Sequence, residues 1–173
     1  MYRTAEVFFV NPTKKHYLMD ISRCIELAHT SVKKNLNKLL EIGLIIESTE
    51  KKGDRKFPIY TANLDNRNFK KYKLIYNLSA LFDSKLIEYI EEKLMPKSIV
   101  LFGSYRNGED TENSDIDLYI GCKQEAIDIS KFEKMLGRKI EFHFNDNFNS
   151  YPKELKNNII NGIGLSGFLE VYK

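Results

Sequence analysis

The sequence contains no tryptophan and, among its 173 residues, only two cysteines, four prolines and nine glycines. Cys24 and Cys122 lie far apart, so neither a disulfide framework nor a paired zinc motif is indicated. No apolar run approaches the roughly 18 to 20 residues of a membrane span, and the N-terminus lacks the apolar region and cleavage-like site of a signal peptide. These absences predict a soluble, cytoplasmic protein with no membrane partner.

Charge is nearly balanced overall but uneven along the chain. The net charge is +3, with eleven Lys and Arg against eight Asp and Glu in residues 1–66, and ten against twelve in residues 96–173. The basic surplus at the front is too small to prove a nucleic-acid partner. The acidic surplus at the back would suit a carboxylate metal site, although it is also ordinary surface variation. Length and composition allow one domain or two small ones.

Residues 1–66 have the pattern of three helices followed by a β-hairpin. Helices are predicted at 5–10, 19–27 and 31–42, and strands at 44–49 and 57–62. Thr30 is expected to cap the third helix, and Gly43 to end it. The hairpin tip is polar and basic, with a Gly-Asp turn.

This pattern resembles a winged helix-turn-helix domain. The resemblance implies that the third helix enters the major groove of DNA and that the hairpin tip contacts phosphates. The residues expected to bind DNA are Ser31, Lys33, Lys34, Asn37, Lys38, Lys51, Lys52, Arg55 and Lys56. Two alternatives remain open, because the same residues suit an ordinary solvated surface and winged helices also dock proteins.

Residues 67–83 read as a connecting helix and residues 84–173 as a second domain. A helix capped by Asp83 or Ser84 should end at Pro96, with its apolar side chains buried. Those side chains are Leu86, Ile87, Ile90 and Leu94. Further strands are predicted at 98–102, 115–120, 139–144 and 167–172, and helices at 129–136 and 152–161. This order predicts an α+β chain whose second domain is built on a central sheet.

Two short motifs in the second domain can carry chemistry. Gly103 and Ser104 follow a buried strand, where a glycine permits a tight turn and a short helix starting at Ser104 would direct N–H groups at a phosphate. Asp115 and Asp117 are two apart in the next strand, so their carboxylates share one face and form a natural Mg²⁺ site. Taken singly, the first motif is more often a plain turn, and the second an exposed acidic pair.

Together the motifs read Gly-Ser, ten residues, Asp-x-Asp, within LFGSYRNGEDTENSDIDLYI. This sequence resembles the minimal nucleotidyltransferases of the polymerase-β superfamily, of the antitoxin-like type, over about residues 84–173. The resemblance implies that Gly103 and Ser104 hold the phosphates of a nucleoside triphosphate such as ATP. Arg106 and Lys139 are further candidate phosphate contacts, although each is only a single charge. The resemblance also implies that Asp115 and Asp117 bind Mg²⁺ or Mn²⁺ during attack by an acceptor hydroxyl.

The family has a third carboxylate, usually aspartate, on the following strand. Glu141 occupies that strand here, and we expect it to bind the metal or act as a general base. The alternative is an exposed strand glutamate. His143 shares the face of Glu141, but the sequence favours a surface residue over a catalyst at that position.

Three functions compete on the sequence. The first is Mg²⁺-dependent transfer of AMP from ATP to a protein or small-molecule hydroxyl, with the winged helix recruiting a target or regulating the enzyme. The second is a DNA-binding transcription regulator whose second domain binds a nucleotide without turning it over. The third is an antitoxin-like protein that masks a helical HEPN-type ribonuclease toxin, a pairing that is common in the family.

A final expectation concerns closure of the site. Only 53 residues follow Ile120, and the sheet domain uses nearly all of them, which leaves no helical lid to enclose a nucleotide. The site could be completed by the chain's own winged helix and connecting helix, by a second copy in a homo-oligomer, or by a separate HEPN-type helical partner. We expect one of the last two, because the winged helix has its own polar face to keep exposed.

Overall fold

The computed structural model describes residues 1–171, and the chain folds into two compact units, Met1–Tyr76 and Asn77–Lys173. The division falls inside helix α4, which spans Arg67–Asp83. Helices and two separate sheets make the chain a mixed α+β protein, as the sequence predicted. None of the helices within residues 1–171 combines the length and the hydrophobicity that crossing a bilayer requires.

The first unit has three helices and a hairpin. They are α1 (Tyr2–Val10), α2 (Leu18–Ile25), α3 (His29–Glu41), β1 (Ile45–Lys52) and β2 (Arg55–Ala62). The strands pair antiparallel from Ile45↔Ala62 to Lys52↔Arg55, which leaves a two-residue loop. An isolated bridge between His16 and Tyr60 places the segment before α2 beside β2.

Helical periodicity explains the core of this unit. Val32, Leu36 and Leu39 lie on one face of α3 and have no exposed surface. Two sequence predictions were wrong in detail. Helix α3 begins at His29 with Ala28 as its N-cap and no side-chain capping bond, so Thr30 is not the cap. The strands also run further into the tip, because Gly53 at φ +61° closes a two-residue turn.

The second unit holds a four-stranded sheet and its flanking helices. Its elements are α5 (Leu86–Leu94), β3 (Ser98–Phe102), α6 (Gly103–Asn107), β4 (Ile116–Ile120), α7 (Ser130–Leu136), β5 (Ile140–Phe144), a 3₁₀ turn (Phe148–Ser150), α8 (Lys153–Ile160) and β6 (Ile163–Gly167). The strand order is β5-β4-β3-β6. Strands β4 and β5 are parallel, whereas β3 pairs antiparallel with both β4 and β6.

Alternation along the strands separates two apolar layers. One sheet face packs with side chains of α5 and α7, and includes Leu101 and Leu118. The other face packs with Ile159 of α8 and includes Phe102 and Tyr119. By this alternation, the polar residues of β4 and β5 lie on the α8 face, which decides where the candidate site forms.

Helix α5 begins differently from the prediction. Its N-cap is Lys85, at φ +63°, rather than Asp83 or Ser84. The hydroxyl oxygen of Ser84, one of the two predicted caps, nevertheless accepts a hydrogen bond from the Leu86 N–H at 3.2 Å and so satisfies one free amide. The four side chains expected to point inward from this helix are all buried, which confirms that prediction.

The last strand is also displaced from its predicted place at 167–172. It lies at Ile163–Gly167 and pairs with β3 through a register shift between Ile99 and Val100. Gly167 has φ +66°, and a Cβ there would stand 2.1 Å from the Lys97 carbonyl oxygen, so the close pairing depends on a glycine. Phe168, which the prediction placed in the strand, is 76% exposed, and Tyr172 lies outside the described residues.

Candidate active site

The parallel register of β4 and β5 brings two predicted site residues side by side. Asp117 is the direct partner of Glu141, and His143 lies two residues further on the same face of β5. Each of the three side chains offers one ligand atom, and these atoms all lie within 4.8 Å of one another. Two strands therefore assemble a group of two carboxylates and one imidazole.

His143 is oriented toward the carboxylates. Its Nε2 atom is 3.5 Å from Asp117 Oδ1 and 3.8 Å from Glu141 Oε1. The ring contacts Phe102 edge-on, with 4.9 Å between ring centroids. Nε2 is buried and has no hydrogen-bond partner among residues 1–171. The sequence favoured a surface residue over a catalyst here, and the structure shows a half-buried ring that is 23% exposed and packed against Phe102.

Gly103 and Asp117 are in direct contact at the end of β3. Phe102 pairs with Asp117 across the antiparallel strands, so the following residue, Gly103, passes beside the Asp117 side chain. Gly103 has φ +74°, and a Cβ built on it would stand 2.1 Å from Asp117 Oδ2. Only glycine fits here, since the backbone is left-handed and the space is already filled by a carboxylate.

Helix α6 begins at Gly103, one residue before the predicted start, and Ser104 lies partly exposed in its first turn. Arg106, the third residue predicted to bind nucleotide, donates from Nη1 to Asn107 Oδ1 at 2.8 Å. Its Nε is buried without a hydrogen-bond partner within the described part of the chain. A buried N–H without a partner is costly, and an anion could satisfy it.

A buried polar network fixes the loop between α6 and β4. Asp110 is 1% exposed, and its carboxylate accepts hydrogen bonds from Asn77 Nδ2 at 2.8 Å and from Arg138 Nη2 at 3.3 Å. Asn77 Nδ2 also donates to the carbonyl oxygen of Tyr105 at 2.9 Å. The sequence analysis missed this network, because nothing in the spacing of these residues marks them as partners.

Asp115 does not belong to the group formed by Asp117, Glu141 and His143. It lies just before β4 and lines an open cleft together with Glu112, Glu133 and Lys139. The strand begins at Ile116, so Asp115 is outside the ladder that fixes the other two carboxylates. Its predicted role as a metal ligand stays a prediction.

The nine residues predicted to bind DNA all lie on the surface of the first unit. Lys52 differs from the other residues of this set because its ammonium group already contacts an aromatic ring and a carboxylate. Its Nζ lies 4.3 Å from the centroid of the Tyr17 ring and 3.6 Å from Glu50 Oε2. A hydrogen bond from the Tyr17 hydroxyl, helped by one from Lys15, lowers the pKa of Glu50.

The donor set on β4 and β5 fits a divalent cation. Two carboxylates offer hard oxygen ligands. The buried Nε2 of His143 makes no hydrogen bond within the described residues. The backbone of Gly103, where α6 begins, lies next to the Asp117 carboxylate.

Comparisons with known proteins match the region of the chain that contains the candidate site. Residues 84–166 match the family model described as polymerase beta, nucleotidyltransferase. A protein of Methanocaldococcus jannaschii named "Putative protein adenylyltransferase" is 38% identical over 60 residues, which span 30% of this chain and 60% of that relative. The alignment thus covers less than two thirds of the relative's length. No solved structure gives a significant match. These similarities support a nucleotidyltransferase domain in the second unit.

Proposed function

We propose that the second unit is a metal-dependent nucleotidyltransferase that moves AMP from ATP to a hydroxyl group of a protein. One observation carries the proposal: the Asp117 carboxylate belongs to the candidate metal group and also touches Gly103, the first residue of the phosphate-binding turn. A nucleotidyltransferase needs a cation next to the triphosphate, and this contact provides that adjacency.

Each residue of the site has a separate role in the proposed reaction. In this proposal the backbone N–H groups of Gly103 and Ser104 bind phosphate oxygens, and Arg106, whose Nε has no hydrogen-bond partner in the described chain, would add a third donor. A divalent cation bound at Asp117 and Glu141 would neutralise the triphosphate and polarise the α-phosphorus. Asp115 would become a further metal ligand if its side chain rotated out of the cleft that it lines.

Proton transfer falls to Glu141 in this proposal. Its side chain is 59% exposed, so one oxygen can bind the cation while the other meets an acceptor hydroxyl. The acceptor oxygen forms a bond to the α-phosphorus, the bond to the β-phosphate oxygen breaks, and pyrophosphate leaves. The acceptor proton passes to the Glu141 carboxylate or to water.

The choice of AMP and of a protein acceptor rests on the name of the M. jannaschii relative. An incubation with ATP labelled at the α-phosphate, Mg²⁺ or Mn²⁺, and a lysate of the source organism tests both choices. A labelled protein is expected with α-labelled ATP and none with γ-labelled ATP. Label transferred only from the γ-position would identify a kinase and refute the proposal.

The same assay tests the assigned carboxylates. Asp117→Asn and Asp115→Asn should abolish transfer, whereas Glu92→Gln, an exposed residue of α5, should leave it unchanged. Full activity in both aspartate variants would show that the label comes from another site.

A second function is favoured by a separate observation. Five exposed polar residues of α3 and four basic residues of the hairpin face solvent in the first unit, in the order of elements that a winged helix-turn-helix has. We propose that this unit binds DNA. If nucleotide binds to the second unit without turnover, the protein would instead be a nucleotide-responsive transcription regulator. The homo-oligomer and the HEPN-type partner stay predictions.

A further inference from the structure

We propose that His143 is a direct metal ligand, and that its nitrogen makes this centre prefer a first-row transition ion such as Mn²⁺ over Mg²⁺. The proposal deepens the proposed function, since it concerns the same metal site. It does not depend on transfer itself, because metal binding can be measured without nucleotide.

The distances around His143 Nε2 exceed those of hydrogen bonds. The gaps of 3.5 Å to Asp117 and 3.8 Å to Glu141 compare with about 2.7 to 3.2 Å for an N–H···O hydrogen bond. Two donors bound about 2.1 Å from one ion, at octahedral or tetrahedral angles, stand roughly 3 to 3.5 Å apart. The observed gaps are closer to the spacing of ligands around a shared ion than to direct hydrogen bonds.

The ring is also held in a single place. His143 is paired with Tyr119 in the parallel ladder, and Phe102 packs edge-on against its ring. The Nε2 atom is buried and therefore faces the carboxylates from a half-buried ring packed against Phe102. A buried ring nitrogen without a hydrogen-bond partner in the described chain is unfavourable, and a metal ion would satisfy it.

The chemistry of the donors determines the preference. Mg²⁺ favours oxygen ligands and gives up its waters reluctantly, so an imidazole adds little to its binding. Imidazole is a good ligand for first-row transition ions, and their affinities for mixed nitrogen and oxygen sites rise from Mn²⁺ through Co²⁺ to Cu²⁺. A site with two carboxylates and one imidazole should therefore discriminate against Mg²⁺. A site made only of carboxylates would discriminate less.

The first test measures binding of metal ions alone to the full chain. Free Mn²⁺ is followed by its EPR signal, and Mg²⁺ by competition. We expect the wild-type protein to bind Mn²⁺ at least about tenfold more tightly than Mg²⁺. His143→Asn should weaken Mn²⁺ binding about tenfold or more and change Mg²⁺ binding by less than about threefold. His29→Asn, at the exposed start of α3, is the matched control and should change neither.

The second test observes the imidazole nitrogen directly. In protein carrying ¹⁵N-labelled histidine, addition of Zn²⁺ should shift the Nε2 resonance of one of the three imidazoles, and that resonance should be absent from His143→Asn. An unshifted His143 signal, an equal loss of Mn²⁺ and Mg²⁺ binding in the variant, or the absence of any divalent-ion binding would each overturn the proposal. If Mn²⁺ binds as expected but no AMP is transferred, the proposed function fails and this inference stands.

Discussion

The Asp117 carboxylate packs directly against the backbone of Gly103, so that a methyl group on Gly103 would stand 2.1 Å from Asp117 Oδ2. The contact joins the turn after β3 to the candidate metal group on β4. A larger residue at position 103 would therefore have to displace the Asp117 carboxylate. This coupling gives the glycine of the Gly-Ser motif a role beyond the shape of a turn.

Gly103→Ala should disable the site. The substitution forces a side chain into a left-handed conformation, which costs about 1 to 2 kcal/mol, and it displaces the Asp117 carboxylate as well. We expect Mn²⁺ affinity, measured by EPR, to fall at least about tenfold.

Gly137→Ala is the matched control for this change. Gly137 also has a left-handed backbone, at φ +64°, but nothing lies within 4 Å of the position of its Cβ. It should lose about the same 1 to 2 kcal/mol of stability while its metal affinity stays as in the wild type. Equal metal affinities in the two variants would show that the Asp117 contact does not matter for binding.

Removing one partner of the buried pair formed by Asp110 and Arg138 should destabilise the second unit. Arg138→Met removes a cation from a carboxylate with no exposed side-chain surface, and should cost roughly 2 to 4 kcal/mol in urea unfolding. Adding Asp110→Asn to that variant should restore part of the loss, because the uncompensated charge is gone. Lys85→Met breaks the exposed pair with Glu88 and should lower stability far less, because water already screens that pair.

The sequence predicted those parts of the site that depend on local pattern. A buried strand followed by glycine and serine, and a strand with alternating aspartates, are visible as short motifs, and the family match lies over them. The pairing of Asp117 with Glu141 also follows once two parallel strands are assumed.

The rest depends on packing that no local pattern reveals. His143 shares the face of Glu141 by simple alternation, but its burial under Phe102 arises from a strand some forty residues earlier. Asp115 precedes the ladder by one residue, and strand ends are set by pairing rather than by composition. The final strand was misplaced because its pairing uses a glycine-rich segment, where intrinsic strand propensity is low.

Tyr119 should make the second unit sensitive to alkaline pH. Burial, with smaller effects from the charges of Tyr151, Cys122 and Asp146, raises the pKa of Tyr119 to about 12. Its hydroxyl donates to the Asn145 carbonyl oxygen at 3.0 Å. Because the folded pKa lies above the unfolded value near 10, this contribution to stability is complete below pH 10 and is lost as the pH rises toward 12.

Urea unfolding between pH 8.5 and 11.5 measures the effect. The wild-type midpoint should fall over this range, and the Tyr119→Phe variant, which has no hydroxyl to ionise, should show a smaller fall. A parallel decline in both proteins would mean that Tyr119 ionises in the folded protein with an ordinary pKa.

DNA binding by the first unit should depend strongly on salt. Replacing Lys33 and Lys34 of α3 by alanine should weaken binding to a duplex, and should reduce the slope of log affinity against log salt by about 2, since roughly one counterion is released per phosphate contact. Lys52→Ala should have a smaller effect than Lys51→Ala, because Lys52 already contacts Glu50 and the Tyr17 ring.

Fluorescence anisotropy with the full chain gives both the affinity and its salt dependence. The double variant Lys123→Ala/Lys134→Ala, exposed in the second unit, is the control of equal charge. An identical salt slope in the α3 variant and this control would assign the contacts to another surface and leave the first unit as a protein-docking module.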